Sequence, residues 1–172
     1  MTDDRPVVRR RAARVLAVSP QGRVLLFEGG DPDRPRVRIW HAPGGGVDPG
    51  ESDRAAAERE YREETGVELE VGPHVWDREL RFRFNGRVYD QVEVYFLAHV
   101  EREHGTDTSG HNELERLYLG EHRWFSVDEL RALPTDDGSV LVAPPDIADR
   151  LEDLLRDGAP ASPVTVAGVV LP

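Results

Sequence analysis

Residues 45–67, GGVDPGESDRAAAEREYREETGV, decide how the rest of this chain is read. Ser52 or Asp53 can cap a helix N-terminus, and Asp53 sets negative charge at the positive end of the helix dipole. Ala55, Ala56 and Ala57 are strong helix formers, and Gly66 is a natural stop one residue past the end. The spacing predicts one helix from Asp53 to Thr65. Residues three and four apart share a helix face, so Glu60, Glu63 and Glu64 fall in one sector, with Asp53, Ala56 and Ala57 beside them. Arg54, Glu58 and Arg62 fall on the opposite face, where four-residue spacing lets them pair in solvent.

Three carboxylates in one sector repel one another. Raised pKa values or bound cations relieve that repulsion. Hard oxygen donors suit Mg²⁺ or Mn²⁺, which take few carboxylates and keep water or substrate phosphates as further ligands. A solvated acidic face would explain a lone E-x-x-E-E run. It does not explain the glycines, Glu51 and Arg59 at their fixed distances from that run.

The fixed positions are Gly45, Glu51, Arg59, Glu60, Glu63, Glu64 and Gly66, with Tyr61 and Val67 in two apolar slots. They fit G-x5-E-x7-R-E-U-x-E-E-x-G-U, where U is bulky and apolar, and this resembles the Nudix box. The resemblance implies Mg-dependent hydrolysis of a phosphoanhydride in a nucleoside diphosphate linked to another moiety. It covers residues 45–67 specifically and the flanking region only as a pattern. It implies Glu60, Glu63 and Glu64 as metal ligands, with Glu64 foremost, and a backbone carbonyl at Gly44 or Gly45 as a further one. Arg59 is implied to orient the carboxylates by ion pairing, with Glu51 as its partner, so the catalytic set is Glu51, Arg59, Glu60, Glu63 and Glu64. Glu60, or a loop glutamate among Glu113, Glu115 and Glu121, acts as base or as a further ligand. Tyr61 departs from the commoner aliphatic residue and is expected to pack its ring in the core, with a partner for its hydroxyl.

Two other classes share this fold. A non-catalytic sensor of nucleotide-sugars suits a degenerate box, whereas this one is intact. The family's isoprenoid isomerase uses a cysteine, and this chain has none. For the substrate the same resemblance gives less. ADP-ribose enzymes carry a proline after the box, but none occurs here between Pro73 and Pro134; the coenzyme A marker is not apparent. Tyr89 and Tyr95 do not match the offset of the diadenosine polyphosphate enzymes. Nucleoside triphosphates, dinucleotide polyphosphates and nucleotide-sugars stay open.

The chain has 172 residues, a net charge of −11, no cysteine and 22 basic residues, all arginine. That length suits one domain with a sizeable core. The charge argues against duplex nucleic acid or an acidic membrane as partner, so a polyanionic small molecule must be drawn by local arginines and metal ions. No apolar run is long enough for a membrane helix and residues 1–11 show no signal-peptide core, so a cytoplasmic protein is expected.

Ala12 to Ser19 and Val24 to Phe27 alternate as a strand pair around Pro20-Gln21-Gly22. Gly29 to Arg38, with Pro32 and Pro35, reads as a polar loop. Glu79 to Phe84 and Arg87 to Glu101 flank Asn85-Gly86, a strong two-residue hairpin turn. Arg123 to Ser126 reads as a short strand, Val127 to Leu133 as a short helix, and Ile147 to Arg156 as an amphipathic helix. These elements fit the family's α/β/α sandwich on a mixed β-sheet. Residues 1–10 read as an arm, 11–158 as the hydrolase domain and 159–172 as a Pro-rich apolar tail expected to contribute to a homodimer. Arg81 and Arg83 on the hairpin, and His41 before the glycines, are the candidates for gripping substrate.

Overall fold

The computed structural model describes residues 7–105 and 119–168. Strands β1 (Val7–Val18), β2 (Val24–Asp31), β3 (Arg34–His41) and β4 (Gly44–Gly46) lead into helix α1 (Asp53–Thr65). Strands β5 (His74–Phe84), β6 (Arg87–His99) and β7 (Leu119–Phe125) follow, then helix α2 (Val127–Ala132), β8 (Val140–Ala143), helix α3 (Ile147–Asp157) and β9 (Val164–Thr165). All nine strands join one sheet in the order β8-β3-β2-β1-β6-β5-β9, with β4 beside β1 and β7 beside β2. The β1/β6, β3/β8 and β5/β9 pairs are parallel and the rest antiparallel, so the sheet is mixed.

The central strands are buried on both faces, and a core lies on each. On one face Ala56, Ala57 and Tyr61 of α1 pack with Ala13, Val15, Val94 and Phe96. On the other, Leu130, Ile147, Leu151 and Leu154 of α2 and α3 pack with Leu16, Leu26, Trp76 and Tyr95. This is the α/β/α sandwich expected from the sequence. Helix α1 keeps its expected bounds because both caps are built in. The Ser52 hydroxyl accepts from the Ala55 N–H, and Gly66 takes the left-handed conformation at φ 74°.

Three expectations need correction. Residues 29–38 are not a loop but the hairpin of β2 and β3. Pro32 stands at its turn, while Pro35 lies in the irregular stretch between the Asp31–Arg34 and Gly30–Arg38 pairs, where its missing N–H breaks no ladder. Strand β5 starts at His74 rather than Glu79, and β1 at Val7 rather than Ala12. Arg54, Glu58 and Arg62 do not pair with one another. Arg54 donates to the carbonyls of Val71 and Gly72, Glu58 accepts from the Val71 N–H at 3.0 Å, and Arg62 lies 3.8 Å from Glu68. That face tethers the chain leaving the helix.

The tail turns back onto its own sheet. β9 runs beside β5, and Val166 is buried in the α2–α3 core. Among the described residues no helix is long and apolar enough to cross a membrane.

Candidate active site

The glycine strand β4 lies against β1, with Arg14 opposite Gly44 and Ala13 opposite Gly45. A side chain would collide at both glycines, with backbone at Gly44 and with the movable end of Glu60 at Gly45. A Cβ on Gly44, whose φ is 137°, would stand 2.1 Å from the Ala13 carbonyl. A Cβ on Gly45 would stand 2.5 Å from the Glu60 carboxyl carbon. The helix therefore presses its acidic side directly onto glycine backbone. Glu64, 4% exposed, accepts from the Gly44 N–H at 2.7 Å.

Arg59 gathers the rest. Its Nε and Nη2 donate to the two Glu51 oxygens at 2.9 and 3.0 Å, the expected pair in bidentate form. Its Nη1 donates to Glu60 at 2.8 Å and Glu63 at 3.3 Å, and its Nη2 also reaches the Gly46 carbonyl at 3.0 Å. These bonds hold the Glu51 carboxyl below its usual range and raise the Arg59 guanidinium. Burial pushes the Glu60 carboxyl upward, helped by Glu63 and opposed by Arg59. Among the described residues no three acidic or histidine side chains stand grouped to hold an ion as they are, and Arg59 is paired with Glu60 and Glu63. The donor set still fits a hard divalent cation: three carboxylates, two of them drawn in against backbone that only glycine permits. Tyr61 is fully buried, and its hydroxyl lies 2.7 Å from His104 Nε2, as its place in the box predicts.

The substrate candidates divide. His41 faces Arg14, whose Nη1 donates to the carbonyls of Ala42 and Gly44 at 3.2 and 2.9 Å. Burial, reinforced by the Arg14 charge, lowers the His41 pKa to about 4, so the ring is neutral at pH 7. Arg83 lines a cleft with Arg10, Arg14 and Arg34 beside the glycine strand. Arg81 lies in a separate groove and is 3.5 Å from Asp90. Glu121 is exposed on β7, while Glu113 and Glu115 lie outside the described residues.

A buried polar network next to the box was not anticipated. Glu93, 2% exposed, takes Arg14 Nη2 at 3.0 Å and Gln91 Nε2 at 2.8 Å on one oxygen. Its other oxygen takes Arg78 Nη1 at 2.9 Å and the Tyr95 hydroxyl at 2.7 Å. Burial alone would raise this carboxyl, but the two guanidinium groups and the hydrogen bonds override it and hold it at about 2. The signal for part of this was present. A two-residue turn at Asn85-Gly86 fixes the hairpin register, which sets Arg78 opposite Glu93. Gln91 and Tyr95 flank Glu93 on the same face of β6, whereas Arg14 comes from β1, which the turn does not specify. The network forms one wall of a cavity of about 220 Å³ whose other lining residues include Ile39, Leu80, Phe82, Leu141 and Val142.

The NUDIX domain model matches residues 8–142. An RNA pyrophosphohydrolase of Erythrobacter litoralis is 32% identical, over 72% of this chain and 80% of its own length. The CTP pyrophosphohydrolase of Escherichia coli is 31% identical, over 68% of this chain and 76% of its own. The solved MutT protein of Methanosarcina mazei shares the fold with a TM-score of 0.60 at 21% identity, covering 90% of this chain and 96% of that one. With an intact box on its loop and helix, the chain belongs to the Nudix family of hydrolases.

Proposed function

We propose that this protein hydrolyses a phosphoanhydride bond of a nucleoside triphosphate or another nucleoside diphosphate derivative, with Mg²⁺ or Mn²⁺ held by Glu60, Glu63 and Glu64 and a carbonyl at Gly44 or Gly45. The observation that carries this reading is the packing of Glu60 and Glu64 onto glycine backbone beside an arginine-lined cleft. The Gly44 carbonyl already accepts from Arg14 and keeps a second lone pair. When bound, the ion supplies polarisation of phosphoryl oxygens and a water of lowered pKa.

The protein's own groups do the rest. Arg10 and Arg83 line the cleft proposed for the phosphate chain, where Arg14 is paired with Glu93 and Arg34 with the buried Asp31 at 2.9 Å. Arg59 holds Glu51, Glu60 and Glu63 in fixed orientation. Water oxygen forms the new bond to phosphorus, the bridging oxygen leaves with the departing group, and the proton of the attacking water goes to Glu60 where it does not hold the ion, or otherwise to a loop glutamate. The pyrophosphohydrolase names of the relatives support this bond type and a nucleotide substrate.

The test is phosphate and pyrophosphate release from a nucleotide panel with Mg²⁺, for wild type and Glu64→Gln. The variant keeps an acceptor for the Gly44 N–H and is expected to stay folded. Its turnover is expected to fall by about 10²-fold or more, because a bound ion's stabilisation of developing charge is worth several kcal/mol and Glu64 is one of its holders. Turnover near the wild-type value would overturn the role of Glu64.

A further inference from the structure

Gly44 is held from both ends. Its N–H donates to Glu64 at 2.7 Å, and its carbonyl accepts from Arg14 Nη1 at 2.9 Å. The Ala42 carbonyl accepts from the same Arg14 nitrogen at 3.2 Å. Between them, the Pro43 carbonyl accepts from the Val15 N–H at 2.9 Å. Three successive carbonyls ahead of the box helix are therefore fixed, two of them by one side chain. An oxygen that accepts one hydrogen bond keeps a second lone pair for an ion.

Arg14 is itself fixed. Its Nε and Nη2 donate to one oxygen of Glu93 at 3.1 and 3.0 Å. The Arg14 side chain is 13% exposed and that of Glu93 is 3% exposed. Glu93 engages one edge of the guanidinium, and the two carbonyls engage its remaining nitrogen, so little of it is left for a substrate phosphate. A guanidinium alone beside a cation site would oppose the cation. Glu93 sets the opposite charge against the same fork, so Arg14 holds the carbonyl with that repulsion offset. Glu93 in turn accepts from Arg78 at 2.9 Å and from the Tyr95 hydroxyl at 2.7 Å. A chain of contacts thus runs from β5 and β6 through β1 to the glycine strand.

We infer that Arg14 and Glu93 are positioning residues for the metal site. Arg14 fixes the Gly44 carbonyl as the backbone oxygen that joins the box glutamates in holding the ion, and Glu93 fixes Arg14. This rests on the metal site of the proposed function. Groups that orient the ligands of a metal without touching it set its affinity as well as its geometry.

The experiment measures the Kd of Mn²⁺ for the nucleotide-free protein, from the electron paramagnetic resonance signal of free Mn²⁺. Arg14→Lys keeps a positive charge beside Glu93 but replaces a planar fork of three nitrogens with one. It is expected to weaken Mn²⁺ by about 10- to 100-fold. Tyr95→Phe removes a donor to Glu93 and leaves Arg14 on the glycine strand, so its Kd is expected to stay within about twofold of wild type. A folded Arg14→Lys that binds Mn²⁺ as wild type does would overturn the inference. So would equal weakening in both variants, which would mark the network as a matter of stability alone. Wild type supplies a further reading should Arg14→Lys not fold. In a titration with diamagnetic Mg²⁺ the Arg14 Nε resonance is expected to shift as the site fills, while that of the remote Arg131 stays in place. An Arg14 resonance unmoved by Mg²⁺ would count against the inference. Loss of Mn²⁺ in Glu64→Gln together with full binding in Arg14→Lys removes the role of Arg14 and leaves the proposed metal site standing. A wild type that binds no Mn²⁺ removes both.

Discussion

Glu93 is buried, and Arg14 and Arg78 on either side of it keep it charged. Removing the charge strands two largely buried guanidinium groups, so Glu93→Gln is expected to destabilise the protein by about 3–5 kcal/mol. Urea unfolding at pH 7 measures this. The same carboxyl sets an acid limit. Its pKa is near 2 when folded and about 4.5 when unfolded, so the unfolded chain binds more protons between those values. The stabilisation is complete above about pH 4.5 and is lost as pH falls through about 2. His41 acts in a higher window with the same sign. It is neutral in the fold down to about pH 4, whereas an unfolded histidine takes its proton near 6.5. Stability is therefore lost as pH falls from about 6.5 to about 4, and His41→Gln is expected to flatten that part of the curve. Thermal midpoints at pH 7 and pH 4.5 separate the two residues, because Glu93 contributes little change above pH 4.5. An equal fall in wild type and His41→Gln would show that His41 is not the group that titrates.

At the scale of elements, the box helix could be read to the residue because its limits are local. A serine cap, three alanines and a terminal glycine act within a few residues of one another. The hairpin at residues 29–38 could not, since glycine and proline that normally punctuate loops here occupy a bulge and a turn inside a strand pair. The role of Arg54 and Glu58 was hidden for another reason. Their partners at Val71 and Gly72 are backbone groups brought near by the fold, and side-chain spacing along one helix cannot reveal them. The acidic trio was legible, while the network at Glu93 joins three strands and was not. The fit between α1 and β4 gives an element-level test. Gly45→Ala places a methyl group where the Glu60 carboxyl sits, so that carboxyl must swing aside. Displacement of about 1 Å in a positioned group costs about 10²-fold in rate. Turnover is expected to fall on that scale with the melting midpoint changed much less, since most of the helix packing through Ala56, Ala57 and Tyr61 is untouched. A Gly45→Ala enzyme with unchanged kcat would show that Glu60 needs no such approach.

Across the whole molecule, the last described residues close the sheet that the first ones open. β9 adds to the β5 edge, Val166 enters the core shared by α2 and α3, and the Ala167 carbonyl accepts from Arg78 Nε at 2.9 Å. Arg78 is also a partner of Glu93, so the tail is joined through one side chain to the network beside the cavity. The Ala167 N–H in turn donates to Asp146, at the start of α3. Cutting the chain after Ser162 uncovers a strand edge, exposes a valine pocket and frees one side of Arg78. Burial of one valine and a hydrogen bond from a charged donor together contribute about 3 kcal/mol or more. For a chain of this size the melting midpoint is then expected to fall by about 6–12 °C or more. Because these contacts lie within one chain, the midpoint of the full-length protein is expected not to change with protein concentration. A midpoint that climbs with concentration, and loses that dependence on truncation, would show instead that the tail holds a second copy.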